Sequence, residues 1–267
     1  MKAAPMSADR PARPLVQGVL NCTPDSFYDG GRHGDVDGLI RQAHRMVEAG
    51  ADWIDVGGES TRPGSAAVPP EEQLRRVLPV IRALSGLAPI SIDTTSARVA
   101  AAAREAGATL LNDVRGLQDA ELAAVSAEFQ ATVVMHSRGS PATMGRFTDY
   151  NDLVAEVRDW LIEAAGRAKS PLVYIDPGLG FAKTAAQSTR LLRHTDELVA
   201  TGLPVLIGAS RKSFIGAALG QPSPDDRLPG SLAAVAFAAA AGARVFRVHD
   251  VGPTVQLLDM LAAIRAA

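Results

Sequence analysis

Leu172-Val-Tyr-Ile-Asp-Pro-Gly-Leu-Gly-Phe-Ala-Lys183 is the stretch on which the fold turns. A short β-branched and aromatic run ends on an acid, Asp176, and Pro177 with Gly178 then forbids continuation of the strand. A carboxylate closing an apolar strand sits where water is scarce, and there it needs donors. Asp176 either caps the turn that follows or faces the crevice that α/β proteins open at the carboxyl ends of parallel strands. Other apolar runs end the same way: Ile54-Asp55, Ile92-Asp93, Leu111-Asn112-Asp113 and Val248-His249-Asp250. Polar residues at so many strand ends point to one shared pocket.

Outward from there the chain has a rhythm. Glu48-Ala-Gly-Ala-Asp-Trp-Ile-Asp55, Glu105-Ala-Gly-Ala-Thr-Leu-Leu-Asn112 and Ala241-Gly-Ala-Arg-Val-Phe-Arg-Val248 each read as a helix end, a left-handed glycine and a short strand. Thr201-Gly-Leu-Pro-Val-Leu-Ile207 is a looser copy. Amphipathic stretches at 36–49, 71–86, 97–106, 120–129, 150–168, 187–200, 230–241 and 253–266 predict helices. Strands are expected at 15–20, 52–56, 89–93, 109–112, 131–135, 172–176, 204–208 and 244–248. These strands are too uniformly apolar to have one solvated face. The simplest solution is a single α/β domain, a closed (β/α)8 TIM barrel with long βα loops 1 and 2. An open doubly wound sheet is the rival, although no strand-flanked GxGxxG is present.

Composition narrows the function. The 267 residues are 47% hydrophobic and 21% charged, as expected of a globular chain. A formal net charge of −2 offers no basic face for nucleic acid, so an anionic ligand must be held by local Arg and Lys. Cys22 is the only cysteine, which excludes a disulfide framework and fits a reduced cytoplasmic setting. No apolar run reaches membrane-spanning length. Residues 1–14 read as a flexible tail without a signal-peptide pattern, and residues 15–267 as the domain. The helix at 230–241 has little polar surface and is expected to be a homodimer face.

Several strand ends carry candidate chemistry. Asn21 offers a neutral oxygen suited to a hard cation, or serves the turn. Gly57-Gly-Glu-Ser-Thr-Arg62 lets backbone approach a ligand, with Arg62 free for an anion or solvated. Asp93, Asn112 and Asp176 together suit a planar heterocycle with an amino-amidine edge, because carboxylates accept from its N–H groups while Asn donates and accepts. Asp93 or Thr94 could instead cap a helix. Met135 pads a flat ring or fills core, and His136, with no partner visible in sequence, reads as structural. Gly208 removes bulk beside the pocket, and Ser210-Arg-Lys-Ser213 brings cations and hydroxyls to a helix start. Alternation puts Arg247 and His249 on one face at the mouth, unless Arg247 pairs with a helix acid.

These motifs, in order and one per strand–helix unit from about Gly18 to Val251, resemble the dihydropteroate synthase family, the pterin-binding barrels of folate biosynthesis. The matching segments are Asn21-Cys-Thr-Pro-Asp-Ser-Phe27 with Asp29-Gly-Gly31, Asp55-Val-Gly-Gly-Glu-Ser-Thr-Arg-Pro-Gly64, Ser91-Ile-Asp-Thr94, Asn112-Asp113, Asp176 to Lys183, Ser210-Arg-Lys-Ser213 and Arg247-Val-His249. The resemblance implies a transferase that replaces the diphosphate of 6-hydroxymethyl-7,8-dihydropterin diphosphate by the amine of p-aminobenzoate. It implies that Asp93, Asn112, Asp176 and Lys212 hold the pterin, with Met135, Gly208 and Phe181 lining its slot. Asn21, Thr61, Arg247 and His249 would hold the diphosphate with Mg2+, Asn21 being the metal ligand. Thr61, Arg62, Pro63, Phe181, Lys212, Ser213 and Phe27 would border the p-aminobenzoate site, where sulfonamides act. The residues given catalytic parts are Asn21, Lys212, Arg247 and His249, beneath mobile loops that include Phe27 and Asp29. Cys22 stands where the family more often has Val. Met135-His-Ser-Arg departs from the usual Met-His-Met, and Asn112-Asp-Val-Arg-Gly-Leu117 lacks the common Gly-Gly; these last two affect pocket walls. A pterin-dependent methyltransferase acting on a corrinoid protein would need neither Ser210–Ser213 nor Arg247 and His249. A non-catalytic pterin-binding homologue is the third reading.

Overall fold

Each apolar run becomes a strand of one ring. A computed structural model describes residues 13–23, 36–60, 64–221 and 223–267. The strands are β1 (Leu15–Asn21), β2 (Trp53–Gly57), β3 (Ile90–Asp93), β4 (Leu110–Asp113), β5 (Ala131–Met135), β6 (Leu172–Asp176), β7 (Leu206–Ile207) and β8 (Val245–Val248). They form a parallel sheet in the order β6-β5-β4-β3-β2-β1-β8-β7. The two ends of that sheet meet through a bridge between Ile175 and Val205, with Ile175 N donating to Pro204 O at 3.0 Å. The expected barrel forms and the open sheet does not. β7 is shorter than expected at its start, since Pro204 has no N–H to give to a ladder.

Helices connect the strands: α1 (Val36–Glu48), α2 (Pro70–Leu84), α3 (Ala97–Ala106), α4 (Ala120–Val125), α5 (Leu153–Arg167), α6 (Ala185–Arg193), α7 (Thr195–Val199), α8 (Ser213–Leu219), α9 (Leu228–Ala240) and α10 (Val251–Ala266). The repeated Ala-Gly signature does what was expected: Gly50, Gly107 and Gly242 have φ of 96°, 119° and 101°, the left-handed region in which glycine carries no Cβ penalty. The stretch at 187–200 is two helices, broken at His194. The helix expected from residue 150 begins at Leu153, because Asp152 caps it by accepting from Ala155 N.

Strand alternation separates two cores. Val16, Leu20, Ile54, Val56, Ile90 and Ile92 face outward onto the helices. Trp53, Leu110, Ala131, Val133, Tyr174, Leu206 and Val245 fill the base of the barrel. That packed base leaves the carboxyl ends of the strands as the place for polar groups. Residues 22–35 and 58–69 connect β1 to α1 and β2 to α2, the two long loops expected; residues 24–35 and 61–63 lie outside the described residues. A third long connection, 136–152, was not foreseen; it folds around a 3-10 turn at Met144–Arg146 with Met144 buried. Residues 1–12 also lie outside the described residues, while Arg13, in the stretch expected to be a tail, donates to Asp52 and to Gly50 O.

Candidate active site

Register sets the site. Gly57, Asp93 and Asn112 lie abreast on β2, β3 and β4, and Met135 and Asp176 lie abreast on β5 and β6. Asp55, two residues before Gly57 and therefore on the same face, is fully buried. Arg247 of β8 crosses the barrel to it: Nε donates to Asp55 Oδ2 at 2.7 Å, and Nη2 to Asp93 Oδ2 at 3.0 Å. Asn112 Nδ2 donates to the same Asp55 oxygen at 3.3 Å. Arg247 is thus paired, though with two strand acids and not with a helix acid. Asp55 was noted as a polar strand end and given no role; its place one pleat below Gly57 was the signal that it belongs in the pocket.

Asp176 serves both alternatives raised for it. Its Oδ1 accepts from Gly178 N at 2.7 Å and shapes the turn. Its Oδ2 lies 3.7 Å from the point where a Cβ on Gly208 would stand. Lys212 Nζ lies 3.8 Å and Arg247 Cβ 3.9 Å from that same point. The Asp176 carboxylate, the Lys212 amine and the aliphatic base of Arg247, from β6, the loop after β7 and β8, therefore meet around one glycine, and a methyl there would occupy the space between them. Lys212 Nζ donates to Leu179 O at 2.5 Å and stands 4.7 Å from the centroid of the Phe181 ring. Met135 is buried at the end of β5, beside Gly178.

Asn21, half-buried, ends β1 opposite Gly57. His249 follows β8, with its backbone N donating to Ser210 Oγ at 3.2 Å and Nδ1 3.1 Å from the same oxygen. Ser213 opens α8 on the surface. Thr61, Arg62, Pro63, Phe27 and Asp29 lie outside the described residues. Asp93 does not cap α3; Ser96 does, accepting from Val99 N. Arg211 does not join Lys212 as a second cation in the site. Its φ of 57° turns it away, and its guanidinium holds both oxygens of Asp250 and one of Asp225. Glu59 accepts from Val68 N and from Gln73 Nε2, anchoring the start of the loop after β2. His136, read as having no partner, finds one in Lys183.

Burial dominates the electrostatics. It pushes the Asp93 carboxyl up to about 7, against the pull of Arg247 and with Asp55, Asp113 and Glu59 adding repulsion. It raises Asp176 as well, against Lys212, the Gly178 N–H, Arg247 and Lys183. It lowers Lys212 to about 8, with Asp176 opposing. Buried Cys22 is pushed up to about 12, so its thiol is no nucleophile at neutral pH. Carboxylates, an amide and an ammonium close to a Phe ring give acceptors for ring N–H and exocyclic amine groups, a donor for a carbonyl oxygen and an apolar wall.

The structure defines a parallel eight-stranded barrel that gathers carboxylates, an amide and cations at the carboxyl ends of its strands. The profile of the pterin binding enzyme family matches residues 17–249. The dihydropteroate synthase of Synechocystis sp. is 45% identical over 261 residues, covering 94% of this chain and 90% of that protein. The structure of Xanthomonas albilineans dihydropteroate synthase with 4-aminobenzoic acid is 42% identical, covers 96% of this chain and 94% of its own, and superposes with a TM-score of 0.88. The same synthase in complex with 7,8-dihydropteroate gives 40% identity, 96% and 95% coverage, and a TM-score of 0.85. The chain belongs to the pterin binding enzymes and, among them, to the dihydropteroate synthases.

Proposed function

We infer that this chain is a transferase that condenses 6-hydroxymethyl-7,8-dihydropterin diphosphate with p-aminobenzoate, giving 7,8-dihydropteroate and pyrophosphate in folate synthesis. The observation that carries the reading is the convergence of Asp176, Lys212 and Arg247 on Gly208, with Asp93 and Asn112 abreast on the facing strands. Asp93, Asn112 and Asp176 accept from and donate to the amino-amidine edge of the pterin. Lys212 donates to its carbonyl side, and Met135, Gly208 and Phe181 line the slot. Each charge-assisted contact contributes about 1.5–3 kcal/mol when dry.

Arg247, His249, Asn21 and Thr61 hold the diphosphate, and Arg62, Pro63, Ser213 and Phe27 border p-aminobenzoate, with Phe181, Lys212 and Thr61 shared. The amine nitrogen attacks the exocyclic methylene, the carbon–oxygen bond to the diphosphate breaks, and the nitrogen releases a proton. The electron-rich pterin carries the cationic character that develops on that carbon, so no protein nucleophile is needed. A sulfonamide competes where p-aminobenzoate binds. Mg2+ is the proposed cofactor. Asn21 would supply one neutral oxygen, and among the described residues no group of three His, Cys, Asp or Glu side chains could hold the ion by itself; diphosphate oxygens would be further ligands. Mg2+ bound there would neutralise charge on the leaving group.

Relatives named dihydropteroate synthase favour this reading over corrinoid methyl transfer. No helix among the described residues is long and apolar enough to cross a membrane. With a single buried cysteine and a net charge of −2, we place the protein in the cytoplasm, away from nucleic acid and membranes. A homodimer through α9 and α10 is supported by Phe237, Met260 and Ile264, which are 50%, 60% and 58% exposed on these adjacent helices. The deciding experiment is pyrophosphate release from the dihydropterin diphosphate. Release that depends on p-aminobenzoate is expected; none with both substrates present refutes the assignment.

A further inference from the structure

Behind the mouth lies a buried polar pair that the chemistry above does not use. Lys183 Nζ donates to Phe181 O at 3.0 Å and lies 2.8 Å from His136 Nδ1 and 3.4 Å from His136 O. Lys183 is 7% exposed and His136 fully buried. Burial holds the Lys183 amine well below its ordinary range, with Asp176 opposing, and across the contact with Nδ1 one nitrogen donates and the other accepts. The imidazole packs edge-on to Trp160, ring centroids 4.9 Å apart and planes at 73°.

The same histidine holds the loop after β6 through its backbone. His136 N donates to Asp176 O at 2.9 Å, and a Cβ on Gly178 would collide with the His136 carbonyl oxygen. Further along, Gly180 N donates to Ser188 Oγ and Tyr150 Oη to Ala182 O, each at 3.0 Å. Ala182 has a φ of 48°, a conformation a non-glycine residue keeps only when its surroundings over-determine it. The loop so clamped carries Asp176 at its start, the Leu179 carbonyl that Lys212 holds, and Phe181.

We propose that Lys183, braced by His136, is a positioning residue that holds the 177–183 loop in the one geometry in which Asp176 and Phe181 meet the pterin. If Lys183 served stability alone, an apolar side chain of similar length would serve it as well, because burying a polar amine is costly. The inference rests on the mouth being the pterin site.

The test is steady-state kinetics and thermal unfolding of Lys183→Met, His136→Leu, His136→Asn and the double variant Lys183→Met/His136→Leu. Lys183→Met is expected to fold, to raise KM for the dihydropterin diphosphate about tenfold with a smaller rise in KM for p-aminobenzoate, and to leave kcat essentially unchanged. His136→Leu should match it, and the double variant should be no worse than either. His136→Asn, whose side-chain amide can accept from or donate to the Lys183 amine, should stay near wild type. An unchanged pterin KM in Lys183→Met, or losses that add in the double variant, overturns the proposal. So does a uniform loss in both KM values and kcat that follows a fallen melting point. Should Lys183→Met fail to fold, the two His136 variants decide on the same readouts. Wild-type protein that binds no 6-hydroxymethylpterin by calorimetry would sink the reading of the mouth itself, and this proposal with it.

Discussion

Arg247 Nε donates to Asp55 Oδ2 at 2.7 Å across the barrel, joining residues 192 positions apart in the chain. Asp55 is fully buried, and that guanidinium is the cation paired with it. Removing one partner of a buried pair leaves the other uncompensated, a larger effect than the net contribution of the pair. Arg247→Ala is therefore expected to lose about 3 kcal/mol of stability as well as turnover. Adding Asp55→Asn should restore most of the stability and none of the turnover. Denaturant unfolding beside pyrophosphate release checks both, and normal turnover in Arg247→Ala would remove it from the diphosphate site.

Asp176→Asn should keep the fold, because the amide oxygen can still accept from Gly178 N. It replaces the acceptor proposed for the pterin by an amide and cancels a charge beside Lys212. Pterin affinity is expected to fall about ten- to a hundredfold. Calorimetry with 6-hydroxymethylpterin measures it, and unchanged affinity would refute the assignment.

Burial raises Asp93 from 3.8 to about 7, so the folded protein keeps a proton that the unfolded chain has released. Stability from this group is present below pH 4 and is lost as pH rises towards 7. Pterin binding, which needs the carboxylate, should tighten as pH rises through about 7 and then level off. Kd titrated between about pH 5 and 8.5 should show that limb, and Asp93→Asn should flatten it. A wild-type profile already flat across this range would place the Asp93 carboxyl near its ordinary value.

On the α9 and α10 surface, Phe237→Glu should split the dimer while leaving the barrel intact, since Phe237 is half exposed in a single chain. Light scattering at micromolar concentration is the measurement. A wild-type monomer, or a dimer untouched by the substitution, would move the interface elsewhere.

The elements of this barrel were legible because their signals are local. Short, uniformly apolar runs placed the strands within a residue or two, 3.6-residue amphipathic periods marked helices, and the Ala-Gly repeat marked helix ends that carry positive φ at Gly50, Gly107 and Gly242. The polar strand ends Asp93, Asn112 and Asp176 were equally visible, since an acid closing an apolar run needs no partner to be noticed. The break at His194 and the 3-10 turn at Met144–Arg146 escaped, because neither interrupts the apolar pattern.

What sequence alone determined was which residues end strands, and hence that a pocket of carboxylates and cations lies at one end of a barrel. Tertiary structure alone decided who partners whom there. Barrel closure brings β8 against β1 and so delivers Arg247 to Asp55 and Asp93. One left-handed residue turns Arg211 out to Asp250 while Lys212 turns in. Lys183 reaches His136 only because β5 and β6 pair in register, 47 positions apart. Charge pairing depends on distances of a few ångströms between strands, and those distances exist only once the ring has closed.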